Sequence, residues 1–232
     1  MFKFKQFTVH QQRSAMKVGT DGVLIGAWAS VRPADRALLD IGTGTGLIAL
    51  MLAQRNPKAE VVAVEIDTES AAQACENVAE SPWSDRIKVK RCAVQEFTPT
   101  MKFDLIVSNP PYFVDSLKCP DESRNTARHT DTLSFAELMH TAERLLAPDG
   151  RLAVIVPAEA ALSVIAAGKL HLVRRCDVRT KPNGAPKRVM LEFSPRFEGV
   201  AAREELTIGD GSNGGYSPEY IALTRDFYLK FD

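Results

Sequence analysis

An α/β fold with a doubly wound, mostly parallel sheet of seven strands and a terminal β-hairpin is predicted for this chain by three observations. Short apolar runs alternate with helix-like stretches from residue 37 onward. A glycine-rich turn joins the first of those runs to the first helix. After Gly168 the alternation stops and two β-like runs flank a turn. Length and composition agree, since 232 residues with 45% apolar and 25% charged side chains suit one larger α/β domain and exclude disordered, collagen-like or disulfide-scaffold chains.

Within residues 1–232, read as a single domain, residues 1–36 form a basic arm and capping segment. The core over 37–168 opens with a strand at Ala37–Ile41 and a helix at Leu47–Arg55, then a strand at Glu60–Glu65 and a helix at Thr68–Ala79. Strands follow at Ile87–Arg91 and Phe103–Ser108, a helix over 135–146, a strand over 152–157 and a helix over 158–167. In the final segment, 169–232, β-like runs over 170–180 and 187–193 flank Lys-Pro-Asn-Gly-Ala-Pro, which predicts the hairpin. A loop with four glycines then leads into a short helix whose Pro218 suits a first turn.

Twenty-nine cations balance twenty-nine acids, so no global field attracts nucleic acid or an anionic membrane. The distribution is uneven. Residues 1–20 carry Lys3, Lys5, Arg13 and Lys17 with no acid, and residues 169–196 carry eight cations against two acids. Cys75, Cys92, Cys119 and Cys176 show no Cys-x-x-Cys pair or histidine at ligand spacing, so reduced thiols and no metal are expected. No signal-peptide stretch or 18-residue apolar run is present, which leads to the expectation of a cytoplasmic protein with no membrane partner.

The first strand runs into Asp40-Ile-Gly42-Thr-Gly44-Thr-Gly46-Leu47. No lysine follows the last glycine, which excludes a P-loop, and the third glycine arrives one residue too early for the dinucleotide Gly-x-Gly-x-x-Gly. The loop resembles the first motif of class I S-adenosylmethionine-dependent methyltransferases. That resemblance implies S-adenosylmethionine as cofactor, held by Asp40, Gly42, Gly44 and Gly46. It also implies an acid ending the second strand to accept the ribose hydroxyls, and Glu65 stands there with Ile66 beside it to cover the adenine. Many relatives carry an acid after the third strand for the adenine amino group. Val94 has no such acceptor, so that contact is expected from the Ala93 and Val94 backbone or from Gln95.

After the fourth strand comes Ser108-Asn109-Pro110-Pro111-Tyr112, at the sheet edge where open α/β folds bind ligands. The lone pair of a planar exocyclic nitrogen is delocalised, so the nitrogen attacks a sulfonium methyl poorly until its N–H groups are held. The Asn109 side-chain oxygen and the Pro110 carbonyl can each accept one, and tandem prolines keep the loop rigid. Tyr112 can stack on an extruded base, a contact worth about 1 to 3 kcal/mol. With the glycine loop, this motif resembles the amino-methyltransferases of adenine N6, guanine N2 and glutamine amides.

Only about 36 residues precede the first strand, which leaves no expected room for the helical domain of the glutamine enzymes. The segments Phe4–Phe7 and Lys17–Trp28, with Ser81-Pro82-Trp83, Pro186-Lys187-Arg188-Val189 and residues 216–231, resemble bacterial tRNA adenine-N6 methyltransferases acting just 3′ of the anticodon in a valine tRNA. The resemblance implies that Lys17, Thr20 and Asp21 lie at the mouth of the cofactor pocket, with a surface ion pair as the alternative for Asp21, and that tRNA is the partner of a monomeric enzyme. It makes phosphate binding the reading of the basic clusters, with Arg174, Arg175, Lys187 and Arg188 in the hairpin and Arg124 and Arg128 after the catalytic loop. The alternatives are the same chemistry on ribosomal RNA guanine N2, and a catalytically silent RNA-binding module on this scaffold.

Overall fold

The continuous Val, Ile and Leu runs fold as strands buried on both faces, as strands between two helical layers must be. A computed structural model describes residues 1–14, 16–111 and 133–231. In chain order its elements begin with β1 (Phe2–Lys3), β2 (Thr8–Val9), α1 (Thr20–Trp28), β3 (Ala37–Ile41) and α2 (Leu47–Arg55). The series continues with β4 (Glu60–Glu65), α3 (Thr68–Ala79), β5 (Ile87–Arg91), β6 (Phe103–Ser108) and α4 (Phe135–Leu145). Then come β7 (Leu146–Pro157), α5 (Ala161–Ala166), β8 (His171–Arg179), β9 (Arg188–Ser194), β10 (Ala202–Thr207) and α6 (Pro218–Thr224).

Among the described residues eight strands form one sheet in the order β10-β8-β9-β7-β6-β3-β4-β5, with β9 antiparallel to both neighbours and every other pair parallel. The expected count of seven is corrected by β10, which pairs with β8 from Ala202 opposite Arg174 to Thr207 opposite Arg179. As an edge strand with three charged residues in a row, Arg203-Glu204-Glu205, it carries no apolar run to announce it. The predicted helix over 158–167 shortens to a 3₁₀ turn at Ala158–Ala160 followed by α5.

Strand residues alternate between two cores. Leu38, Leu105, Val107, Ala153 and Ile155 face α1, α2 and the aromatic residues of both chain ends. Leu39, Ile41, Ile106, Leu152 and Val154 face α4 and α5. Helix α1 is absent from the sequence-based reading because its residues 22–28 are all buried, leaving no polar face to set a 3.6-residue period. Its two glycines let it lie close on α2, since a Cβ on Gly26 would stand 2.8 Å from Met51 Sδ. Asp67 caps α3 through Ser70 N–H (2.7 Å), and Ser134 with Glu137 forms a capping box on α4. Among the described residues no helix is long and apolar enough to cross a membrane.

Candidate active site

The glycine loop leaves β3 at the C-terminal sheet edge and returns as α2. Gly42, Gly44 and Gly46 hold φ of 70°, 55° and 83°, a left-handed conformation that favours glycine. Their surroundings separate their roles. A Cβ on Gly46 would lie in ordinary contact with Ala74 of α3 at 3.5 Å, so that its φ rather than space calls for glycine, whereas one on Gly42 meets nothing within 4 Å. The loop is therefore open to a ligand at Gly42.

Glu65, the last residue of β4, steadies that loop. Its carboxylate accepts Gly44 N–H at 2.9 Å and Asp67 N–H at 3.0 Å, and the lone pairs that remain can take two more donors. Asp40 is fully buried. Its Oδ2 accepts the Thr43 hydroxyl (2.5 Å) and Ala49 N–H (3.1 Å), while Oδ1 has no partner among the described residues. Burial pushes its carboxyl up to about 7, against those two hydrogen bonds, with a smaller push from Glu65. An orphaned buried acceptor, the open side of Gly42 and a carboxylate with spare lone pairs fit the cofactor expected from the loop.

Ile66 is 48% exposed just past Glu65, able to offer an apolar surface. Ala93 is half-buried, and the Val94 side chain is buried in the core behind the site. The Val94 carbonyl is engaged by Phe97 N–H and by Arg144, which leaves its N–H side for the expected backbone contact. Lys17 and Thr20 are exposed, and Thr20 opens α1.

Asn109 and Pro110 lie at the end of β6, next to β3. Ser108 Oγ–H donates to the Ile41 carbonyl at 2.9 Å, tying the start of the Asn-Pro-Pro loop to the start of the glycine loop. Asn109 is half-buried and Pro110 buried. Tyr112, Arg124 and Arg128 lie outside the described residues.

The four hairpin cations part company. Arg188 begins β9 at the C-terminal sheet edge, opposite Pro157, where its Nε–H donates to Asp21 Oδ2 in the first turn of α1 at 2.7 Å, and Lys187 beside it is exposed. Arg174 sits five residues back from the end of β8, roughly 16 Å from that edge at the usual rise of a strand. Its guanidinium grips Glu204 at 2.6 and 3.0 Å, reaches the Trp28 carbonyl and the Ser30 hydroxyl, and lies 4.0 Å above the Trp28 ring. Arg175 pairs with Asp177 at 2.7 Å. Two cations of the N-terminal arm are likewise engaged, Arg13 with Glu76 at 2.9 Å and Lys5 with the Phe231 carbonyl.

One residue without a predicted role, Met16, stands beside Asn109. Residues 10–14 are bonded to α3, and Met16 meets the Asn-Pro-Pro loop, where Asn109 Nδ2–H donates to Met16 Sδ at 3.8 Å. No periodicity or charge pattern marks Met16 in the sequence, and its place depends on contacts with residues more than fifty positions away.

Residues 28–174 match the family described as Methyltransferase small domain. A protein of Bacteroides thetaiotaomicron named tRNA1(Val) (adenine(37)-N6)-methyltransferase is 52% identical over 232 residues, covering 98% of this chain and 97% of its own. A protein of the same name from Phocaeicola vulgatus is 54% identical over 231 residues, again covering 98% and 97%. Among solved structures, a predicted O-methyltransferase from Agrobacterium tumefaciens superposes with a TM-score of 0.67 at 20% identity, covering 89% of this chain and 96% of its own. TrmN from Thermus thermophilus reaches 0.55 at 22% identity, covering 75% of this chain and 47% of its own. These two likenesses concern the fold.

Proposed function

The chain belongs to the tRNA1(Val) (adenine(37)-N6)-methyltransferase family, and from that premise we propose the roles of its site residues in methyl transfer to N6 of adenine 37, 3′ of the anticodon, in a valine tRNA. The observation that carries the reading is the joining of two loops at one sheet edge: the Asn-Pro-Pro turn starts one hydrogen bond away from the glycine loop, through Ser108 and Ile41. S-adenosylmethionine, when bound, supplies an electrophilic methyl on a sulfonium sulfur.

This chain's residues bind and orient. Glu65 accepts the ribose hydroxyls, Gly42 and Gly44 admit the ligand close to the main chain, and Asp40 gives its orphaned oxygen to a donor from the ligand. Ile66 covers the adenine, the Ala93–Val94 backbone meets its edge, and Lys17 and Thr20 cap the methionine end. At the acceptor, Asn109 Oδ1 and the Pro110 carbonyl each take one N–H of the target amine, holding the nitrogen in line as it becomes tetrahedral. No strong base is required. Tyr112 stacks on the extruded adenine, and Arg124, Arg128, Lys187 and Arg188 meet flanking phosphates. Arg174 and Arg175 are engaged within the protein back along β8 from the sheet edge, so this reading gives them no phosphate, whereas Arg188, paired with Asp21, stands at that edge. It also puts the enzyme in the cytoplasm, with its tRNA.

The test incubates wild type and Asn109→Ala with valine tRNA transcripts carrying adenine or guanine at position 37, with nucleoside mapping by mass spectrometry. Wild type should form N6-methyladenosine on the adenine transcript alone. Asn109→Ala should lose transfer while binding S-adenosylhomocysteine as wild type does. Equal loss of binding and transfer would remove Asn109 from the acceptor side, and methylation of the guanine transcript would overturn the substrate.

A further inference from the structure

A carboxamide that accepts a hydrogen bond from the target amine works in only one of its two orientations. With the amide turned over, Asn109 would direct N–H groups at N–H groups, and the acceptor nitrogen would be pushed away. Something on the far side must therefore receive Nδ2–H and fix the amide. In this structure Nδ2–H points to the thioether of Met16, with 3.8 Å between nitrogen and sulfur.

Met16 is itself held in place although its side chain is 48% exposed. Ser14 Oγ–H donates to the Met16 carbonyl at 3.0 Å, and buried Ser14 in turn receives the Ser70 hydroxyl of α3 at 3.3 Å. Upstream, Arg13 N–H reaches Gln73 Oε1. Asn77 Oδ1 accepts His10 N–H, and Asn77 Nδ2 donates to the carbonyls of His10 and Thr45, all at 2.8 Å. Downstream, Val18 N–H donates to Gln11 Oε1 at 2.8 Å. The segment is thus fastened to α3 and to the glycine loop before it reaches Asn109.

A thioether suits this position chemically. It is a weak, acceptor-only group, so it can receive Nδ2–H without competing for the protons of the target amine, as a carboxylate at the same place would.

We propose that Met16 is a positioning residue of the acceptor site, whose sulfur fixes the Asn109 amide with its oxygen turned toward the target nitrogen. The inference rests on the reading of Asn109 given above. Met16→Leu keeps the volume and removes the acceptor, whereas Met16→Gln restores an acceptor on a chain of similar length. At saturating tRNA and cofactor, Met16→Leu should lower kcat about fivefold, the upper end for one weak hydrogen bond, and leave the KM for tRNA unchanged. Met16→Gln should recover to within about twofold of wild type, a residual within the range of one weak contact. Independently of substrate, Met16→Leu should shift an Asn109 side-chain amide resonance in the ¹⁵N-labelled protein, assigned by its disappearance in Asn109→Ala. An unchanged kcat, a loss confined to KM, or an unmoved resonance would each overturn the proposal. If the wild type transfers no methyl to tRNA, the functional reading fails by itself, and the resonance alone decides the role of Met16.

Discussion

Replacing Arg174 and Lys187 one at a time separates a cation that holds the fold from one that meets RNA. Arg174→Ala removes a two-pronged ion pair with Glu204 (2.6 and 3.0 Å), bonds to the Trp28 carbonyl (3.1 Å) and the Ser30 hydroxyl (3.2 Å), and the stacking on Trp28 at 4.0 Å. The pair's side chains keep 26% and 38% of their exposure, so solvent weakens the charge attraction. Discounted in that way, the contacts sum to about 2 to 4 kcal/mol. For a chain of this length that lowers Tm by about 4 to 16 °C. The log–log salt slope of tRNA binding, measured at a temperature where the variant is folded, should stay that of wild type. Lys187→Ala should do the opposite. Its stability should move by no more than about 0.5 kcal/mol, as for other exposed side chains. Its salt slope should flatten by roughly 0.7 to 0.9, one phosphate contact. The assays are thermal melts and a salt titration of tRNA binding for all three proteins. A flattened slope with an unchanged Tm in Arg174→Ala would refute the structural assignment, and parallel slopes for Lys187→Ala would remove the hairpin from the RNA interface.

Three further outcomes follow from the geometry. Asp35→Ala leaves Arg151, 2% exposed and paired at 2.6 Å, as an uncompensated buried charge, so urea unfolding should show a loss of about 3 to 5 kcal/mol, recovered largely by Asp35→Leu combined with Arg151→Met. A cost below about 1 kcal/mol would mean that water reaches the guanidinium. Glu65→Ala should raise the S-adenosylhomocysteine Kd in calorimetry by about 10- to 100-fold, as expected for donors that lose a charged acceptor, and an unchanged Kd would move the cofactor off the glycine loop. Asp40 titrates near 7 in the folded chain because of burial, above the usual unfolded value of about 4. The folded state therefore binds the extra proton between those values, and this group's contribution to stability falls as pH rises from about 4 to 7, then levels. Asp40→Asn should gain on wild type across that window by up to about 1.4 kcal/mol per pH unit, read from unfolding at pH 5, 6.5 and 8, and parallel pH profiles would contradict the burial argument.

The alternating core was legible in the sequence because its signals are local. Runs such as Ala37–Ile41 and Phe103–Ser108 are apolar throughout, Asp67 and Ser134 cap the helices that follow them, and Gly42, Gly44 and Gly46 mark left-handed turns whatever surrounds them. The same local logic pairs Glu65 with the loop, since a strand end and a strand–helix turn one strand apart meet at one edge.

Elements without a local signature were settled only by packing. Helix α1 carries apolar residues and glycines on every side because it lies between α2 and the sheet, and β10 forms because the edge of β8 is there to pair with. Charge shows the limit most clearly. The sequence determined how many cations the hairpin segment carries, but a strand sends alternate residues to opposite faces and sets each opposite a neighbour remote in the chain. Arg174 thereby meets Glu204 and Trp28, whereas Arg175 meets Asp177 two residues along on the same face of β8, and Lys187 is left in solvent at the C-terminal sheet edge. Met16 belongs to the same class. Its sulfur lies beside Asn109 because Gln73, Ser70 and Asn77 hold His10, Arg13 and Ser14 against α3, and pairings over such separations are fixed by the tertiary structure alone.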